Sequence, residues 1–254
     1  MKIDLTGKTV LVTGASRGIG RAIAESLLDA GATVAVHYHS GRAAAEEMVR
    51  GRSGSYALGA DLAEASACAD LFARAVAALG RVDVLVNNAG IAFSSPIDAP
   101  ANEWNRDWER TMAVNLTASA VLAREAIRHT RAHPEHGGLR IVFISSRAAF
   151  RGDTPDYLAY AASKGGMVSL ARSIARGFGK EGVKAFVVAP GFTRTEMAED
   201  FIRTYGEDYA MKDIALDRMT EPRDIAPLVV FLASGLADHC TGTSIDVNAA
   251  SYVR

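Results

Sequence analysis

The sequence predicts an α/β protein, a single doubly wound domain across residues 1–254 with a parallel sheet and helices on both faces. Three observations predict it. Short apolar runs alternate with longer helical patterns along the whole chain. The runs lack the polar alternation of a half-wetted sheet, so they read as strands buried on both faces. No linker, repeat, low-complexity tract or shift in composition divides the chain.

The strand runs are 9–13, 33–38, 82–87, 140–145, 183–189 and 243–247, with 55–58 a weaker member. Between them, 20–30, 42–50, 65–79, 108–131, 157–179 and 222–233 carry helical spacing, the last with Thr220 as its cap and Pro222 in its first turn. Residues 191–217 are polar, dotted with Met and aromatics, and are expected to form a partly helical substrate lid. Lys and Arg (28) nearly balance Asp and Glu (29), which speaks against nucleic acid or an anionic membrane as partner. Cys68 and Cys240 stand far apart in no ligand-like spacing, so a reducing cytoplasm is expected. No apolar run is long enough to cross a bilayer, and no secretory leader is evident.

The first strand runs into Thr13-Gly14-Ala15-Ser16-Arg17-Gly18-Ile19-Gly20 and then a helix. Glycines permit a tight turn and let main-chain amides approach a pyrophosphate at the positive end of the helix. Gly14, Ser16, Arg17, Gly18, Ile19 and Gly20 are therefore the expected phosphate contacts of a dinucleotide. The second strand ends His37-Tyr38-His39-Ser40-Gly41-Arg42, without the acidic residue that binds a free ribose 2′-hydroxyl. A carboxylate there would repel a 2′-phosphate, whereas Arg17 and Arg42, beside Tyr38 and His39, attract one. NADP(H) is preferred on that ground, with NAD(H) as the alternative. Asp61, followed by Leu62, comes after the third strand, as an acceptor for an adenine amino group or as a helix cap.

Tyr160-Ala161-Ala162-Ser163-Lys164 carries the chemistry. Residues four apart share one helix face, so the phenol and the ammonium project into one pocket. A cation about 4–5 Å away at an effective dielectric of about 20 supplies about 3–4 kcal/mol, or two to three pKa units, before desolvation is subtracted. Tyr157 lies two helical turns from Lys164 and loses on geometry. A hydroxyl at the end of the fifth strand, Ser145 or Ser146, points into the crevice where open α/β sheets bind ligands. Asn115 stands inside a helix, where a middling helix former invites a reason such as holding a water in the helix groove. Asn88-Ala89-Gly90 and Pro190-Gly191-Phe192-Thr193-Arg194-Thr195 close the fourth and sixth strands with turn sequences whose small residues suit contact with a flat ring.

Taken in order, TGASRGIG, the Asp61 turn, NNAG, the helix Asn, the strand Ser, YAASK and PGFTRT resemble the short-chain dehydrogenase/reductase family over nearly the whole chain, and its 3-oxoacyl-carrier-protein reductase-like branch in particular. The resemblance implies a Rossmann fold with a seven-stranded sheet in the order 3-2-1-4-5-6-7 and an Asn115–Ser146–Tyr160–Lys164 tetrad. It implies that Tyr160 exchanges a proton with the substrate oxygen and that Ser146 hydrogen-bonds that oxygen. Lys164 would bind the nicotinamide ribose and lower the Tyr160 pKa, Asn115 would hold a relay water, and Thr195 would hold the carboxamide. It further implies a homotetramer through the two long helices. Three departures stand out. The interval from Ser146 to Tyr160 is one residue longer than the family's spacing, which keeps Ser145 as a rival. The tail reads Asn248-Ala249-Ala250 where the family commonly has an Asp-Gly-Gly turn, and Glu181 weakens docking of an acidic acyl carrier.

His129, His133, His136 and Glu135 resemble a metal cluster but fall at a helix C-terminus, where imidazolium suits the dipole, and no metal is expected. Trp104 and Trp108 read as packing. The expected activity is hydride transfer between NADP(H) or NAD(H) and a small-molecule carbonyl or secondary alcohol. Within that class an oxoacyl-thioester reductase and a polyol, sugar or secondary-alcohol dehydrogenase stand nearly even. Enoyl reduction is disfavoured because those relatives space Tyr and Lys farther apart. A non-enzymatic cofactor sensor would be expected to lack the Tyr or the Lys, and both are present.

Overall fold

The computed structural model describes the backbone of residues 3–254 and the side chains there outside positions 200–201, 204–205 and 209–210, so part of the expected lid lies outside the described residues. Strand β1 (Thr9–Val12) leads into α1 (Gly18–Asp29), β2 (Thr33–Tyr38) into α2 (Arg42–Val49) and β3 (Tyr56–Gly59) into α3 (Ala65–Leu79). After β4 (Val84–Asn87) come α4 (Ala101–Met112), a π-helical turn (Ala113–Thr117) and α5 (Ala118–Ala132). Then follow β5 (Leu139–Ile144), α6 (Ala148–Arg151), α7 (Leu158–Phe178), β6 (Val183–Pro190), α8 (Glu196–Tyr205), α9 (Glu207–Met211), α10 (Pro222–Ser234) and β7 (Ser244–Val247). The seven strands are parallel, in the order β3-β2-β1-β4-β5-β6-β7.

Burial explains why the runs are apolar throughout. Val10, Leu11 and Val12 are all at 0% exposure although successive side chains point to opposite faces. One face packs on α1 and α10 through Ile23, Leu27, Ile225 and Val229; the other packs on α3, α5 and α7 through Leu71, Leu122 and Met167. Each such side chain contributes about 1.5–3 kcal/mol by leaving water, so two-sided burial fixes the layers more firmly than helix propensity does. The order reverses between β1 and β4, whose chains depart in opposite directions, and this opens a crevice at the carboxyl edge of the sheet.

Several boundaries differ from the sequence pattern, each for a local reason. The long helix begins at Ala101 rather than residue 108, with Trp104 and Trp108 stacked one turn apart at 5.2 Å. Strand β4 starts at Val84 because buried Asp83 turns aside to accept the Thr9 N–H (2.9 Å) and the Arg81 guanidinium (2.9 Å). Thr220 is not the cap of α10: it pairs with Thr193 in a bridge. Glu221 caps the helix instead, in a reciprocal box with Asp224. The tail keeps its turn without glycine. Ala249 (φ 50°) and Ala250 (φ 55°) both occupy the left-handed region, at a cost of about 1–2 kcal/mol each. Among the described residues, no helix is long and apolar enough to cross a membrane.

Candidate active site

A cleft of about 1000 Å³ opens along the carboxyl ends of the strands, at the upper end of ordinary ligand-site volumes. Its adenosine-side wall is the turn between β1 and α1. Gly14 takes φ 61°, and a Cβ there would meet Ala89 Cα at 2.8 Å; a Cβ on Gly20 would meet Asn88 Nδ2 at 2.3 Å. The turn is anchored from below. Thr13 Oγ1 accepts the N–H groups of Asn88 and Ala89 (3.0 Å each), and Asn88 Nδ2 donates to the carbonyls of Thr13 (2.8 Å) and Gly14 (3.0 Å). The loops after β1 and β4 are thus one rigid unit.

His37 completes that anchor. Its Nδ1 accepts the Gly14 N–H (3.0 Å) and its Nε2 donates to the Ala60 carbonyl (3.1 Å). Burial pulls its pKa down to about 4, so the ring is the neutral Nε2-H tautomer at neutral pH. His37 stands at the cleft wall with His39 but is only 1% exposed, so its ring acts chiefly on the loop from behind. The signal was available: one histidine inside an otherwise apolar, doubly buried strand.

Of the residues expected at the cofactor, Gly14, Ser16, Arg17, Gly18, Ile19, Gly20, His39, Asp61, Leu62, Asn88, Ala89, Gly90, Pro190, Gly191, Thr193 and Thr195 line the cleft. Tyr38 and Arg42 do not. The Tyr38 ring covers Gly59, where a Cβ would meet it at 2.9 Å, and the exposed Arg42 guanidinium donates to Glu46 one helical turn on (2.7 Å). Arg17 lines the cleft but pairs with Glu196 at the start of α8 (2.6 Å), joining the β1–α1 turn to that helix. Asp61 Oδ1 accepts the Ala63 N–H (2.9 Å), and that bond, helped by His39 and Arg110, holds its carboxyl below the usual carboxylate range. It makes a two-residue turn rather than capping α3, which begins after Glu64.

Tyr160 and Lys164 sit one turn apart on α7, with Lys164 Nζ 5.7 Å from the phenol ring centre. Lys164 Nζ donates to the Ile144 carbonyl (2.8 Å) at the end of β5, and burial brings its pKa down to about 8. Burial pushes the Tyr160 phenol up to about 12, Asp153 adds to that, and the Ser146 hydrogen bond offsets it only in part. Lys164 is not among the groups that set the phenol's pKa in the protein alone, where burial dominates. The two serines differ in their surroundings: Ser145 Oγ donates to the Lys164 carbonyl (2.8 Å) and braces the helix, whereas Ser146 Oγ accepts the Ala148 N–H (3.1 Å) and is the one that acts on the Tyr160 phenol.

Asn115 is fully buried inside the π turn. Its Oδ1 accepts the Ile91 N–H (2.8 Å), while Nδ2 donates to the Ile91 carbonyl (2.9 Å) and to Ser163 Oγ (3.0 Å). The amide therefore fastens the loop after β4 to two helices. A mid-helix π turn is a recurrent mark of functional sites, and here it aims this side chain. Thr195 begins α8 and lies against Gly18, where a Cβ would be 3.5 Å from its methyl group.

Charged side chains line the opposite end of the cleft, and sequence reasoning passed over them. Arg147 Nη1 is buried with no hydrogen-bond partner, and burial lowers its guanidinium pKa. Arg151 pairs with Asp213 (3.1 Å), and the accessible Asp153 carboxyl lines the same wall. Phe93 and Met197 stand partly exposed at the rim.

Comparison with known proteins returns a family described as enoyl-(acyl carrier protein) reductase, matching residues 14–249. An L-rhamnose 1-dehydrogenase (NAD(P)(+)) of a Sphingomonas species is 36% identical, covering 98% of each chain. A 3-oxoacyl-(acyl-carrier-protein) reductase of Aquifex aeolicus is 35% identical over 99% of this chain and 100% of its own. A solved structure of a blue fluorescent protein from a metagenomic library in complex with NADPH superposes with a TM-score of 0.86 at 34% identity, covering 98% of this chain and 100% of its own.

Proposed function

Because the chain belongs to the short-chain dehydrogenase/reductase family of oxidoreductases, we propose that it interconverts a carbonyl and a secondary alcohol with NADP(H), Tyr160 being the acid/base. The observation that carries this reading is the meeting of Tyr160, Ser146 and Lys164 in the cleft that the glycine loop opens on. A Cβ at Gly14 or Gly20 would collide with Ala89 or Asn88, so only glycines allow this tight turn at the start of α1, which suits a pyrophosphate held on main-chain amides. A nicotinamide nucleotide bound there supplies or accepts the hydride. Gly14, Ser16, Gly18, Ile19 and Gly20 would hold its phosphates. Arg17 and His39 would face the adenosine ribose, Asp61 and Leu62 the adenine. Asn88–Gly90, Pro190, Gly191, Thr193 and Thr195 would flank the nicotinamide.

In reduction the Tyr160 phenol, protonated at neutral pH, gives its proton to the substrate oxygen while Ser146 Oγ hydrogen-bonds that oxygen. In oxidation the phenol must first lose its proton, and the Lys164 ammonium is the protein's own charge that favours this. Asn115 acts as a positioning residue, since its amide is engaged by Ile91 and Ser163.

The charged lining favours a polar substrate. Arg147 has an unsatisfied buried donor and Asp153 an accessible carboxylate acceptor on the cleft wall, and both suit the hydroxyls of a sugar, polyol or sugar acid. The second reading, an oxoacyl thioester, draws on the apolar rim at Phe93 and Met197. The four-residue spacing of Tyr160 and Lys164 speaks for carbonyl rather than enoyl chemistry. The family also suggests a cytoplasmic homotetramer built on α4–α5 and α7, for sedimentation velocity to measure.

Two measurements test the proposal. A panel of sugars, polyols and oxoacyl thioesters is followed by NADPH consumption or formation. Tyr160→Phe should then abolish turnover on the active substrate with little change in cofactor affinity, while Tyr157→Phe stays active. Retention of more than about a tenth of the rate in Tyr160→Phe would refute the acid/base assignment.

A further inference from the structure

We propose that His129, His133, Glu135 and His136 form a binding site for a divalent transition-metal ion of the zinc type, at the end of the sheet opposite the cleft. His129 lies in the last turn of α5. His133 leaves the helix at φ −133°, ψ 64°, and a 3-10 turn (Pro134–His136), closed by Gly137 at φ 82°, folds His136 back over it. This fold-back gathers donors that the sequence spacing alone only suggested.

The three ring centres lie 4.7 Å (His129–His133), 5.0 Å (His133–His136) and 5.6 Å (His129–His136) apart. In a tetrahedral site with bonds of about 2.1 Å, imidazole centres sit about 5.2 Å from one another, so the observed triangle already has that size. Glu135 Oε1 lies 3.1 Å from His133 Nδ1 and 3.6 Å from His136 Nε2. One ligand atom from each of His133, Glu135 and His136 falls within 4.8 Å of the others. Tetrahedral donors stand about 3.4 Å apart, so small side-chain turns close the set. The His133 and His136 rings are 13° from parallel, so one of them must rotate about its Cβ–Cγ bond.

A second observation points to a ligand. His129 Nε2 and His136 Nδ1 are buried with no hydrogen-bond partner. Surrounding cations are occupied: Arg128 reaches Glu125 (3.2 Å), and Glu181 clasps Arg131. Imidazole donors select zinc, nickel, cobalt or copper over magnesium and calcium. The site lies at the start of β5 and the cleft at its end, about 20 Å away at about 3.3 Å per residue. Its role is to tie the end of α5 to the start of β5, outside the chemistry.

The test uses the tag-free full chain, stripped with chelator and titrated with Zn²⁺ alone. Bound metal is counted after dialysis and thermal unfolding is followed. About one Zn²⁺ per chain and a raised Tm are expected. His133→Ala combined with His136→Ala should lose both effects, and His239→Ala, at the exposed histidine beside Cys240, should keep them. Co²⁺ should give a visible four-coordinate absorption band that the double variant lacks. If the double variant is unfolded, His133→Gln, at a half-exposed side chain, carries the same comparison. No Zn²⁺ retained by the unmodified chain, equal retention by the His133 and His136 variants, or loss in His239→Ala would overturn the proposal.

Discussion

Lowering the pH should loosen this protein chiefly through one buried imidazole, His37. His37 is 1% exposed, is bonded on both ring nitrogens, and has its pKa brought from 6.5 to about 4 by burial. With the folded pKa below the unfolded one, the unfolded chain binds more protons between the two values. Its contribution to stability is therefore full above about pH 6.5 and is lost as the pH falls toward about 4. The whole loss is about 3 kcal/mol, of which about 2 should have gone by about pH 5. Carboxylates interfere little in that window: the strongest shifted one, Asp224 at about 2, loses its contribution only below the ordinary carboxylate range. Urea unfolding followed by circular dichroism at about pH 7.5 and about pH 5 reads the difference. In His37→Asn, which keeps a hydrogen-bonding group near Gly14 but cannot titrate, the loss should shrink by about 2 kcal/mol. Protonation also removes the acceptor that holds Gly14, so the Kd for NADPH should rise through the same window in the unmodified chain and stay flatter in the variant. Parallel pH slopes in the two proteins would refute the reasoning.

Lys164→Ala should weaken cofactor binding and move the acidic limb of the oxidation pH profile upward, because the phenol loses the cation that favours its ionised form; an unchanged profile in an active variant would separate Lys164 from Tyr160. The kcat/KM should be at least about tenfold higher with NADPH than with NADH, the value of a charge-assisted Arg–phosphate contact. Arg17→Ala should remove most of that preference and Arg42→Ala little, since only Arg17 lines the cleft. Ala249→Gly and Ala250→Gly should each raise stability by up to about 1 kcal/mol, since relief of left-handed strain exceeds the entropy glycine adds to the unfolded chain; chemical denaturation measures both.

What the sequence made legible was whatever repeats or sits on a strand end. Apolar runs such as 9–13 and 183–189 announced a parallel sheet, because burial on both faces leaves no room for polar alternation. That Gly14 and Gly20 share one turn and Tyr160 and Lys164 one helix face was legible because spacing fixes who meets whom, while the choice between Ser145 and Ser146 was left open. Directions taken by long side chains were not. Arg42 has the right place in the chain for a 2′-phosphate, yet Glu46 one turn away draws its guanidinium along the helix. Charge type and position said nothing of that competition. Desolvation was likewise invisible: a cation four residues from a phenol suggested a lowered pKa, and the burial of both groups reversed the sign.

Contacts between distant segments lay furthest from view. His37 and Gly14 are 23 residues apart, and only the pairing of β1 with β2 brings the ring under the loop. The same pairing explains why a titratable group survives in a strand whose neighbours are all apolar. Its Nδ1 takes the amide of the phosphate turn and its Nε2 takes the carbonyl beyond β3, so a single side chain joins three consecutive strand ends. An aliphatic residue there would pack as well but would leave that amide and that carbonyl unpaired, at about 1–3 kcal/mol each. This polar residue of the core thus belongs to the proposed site, because it holds the loop on which the proposed cofactor binding depends.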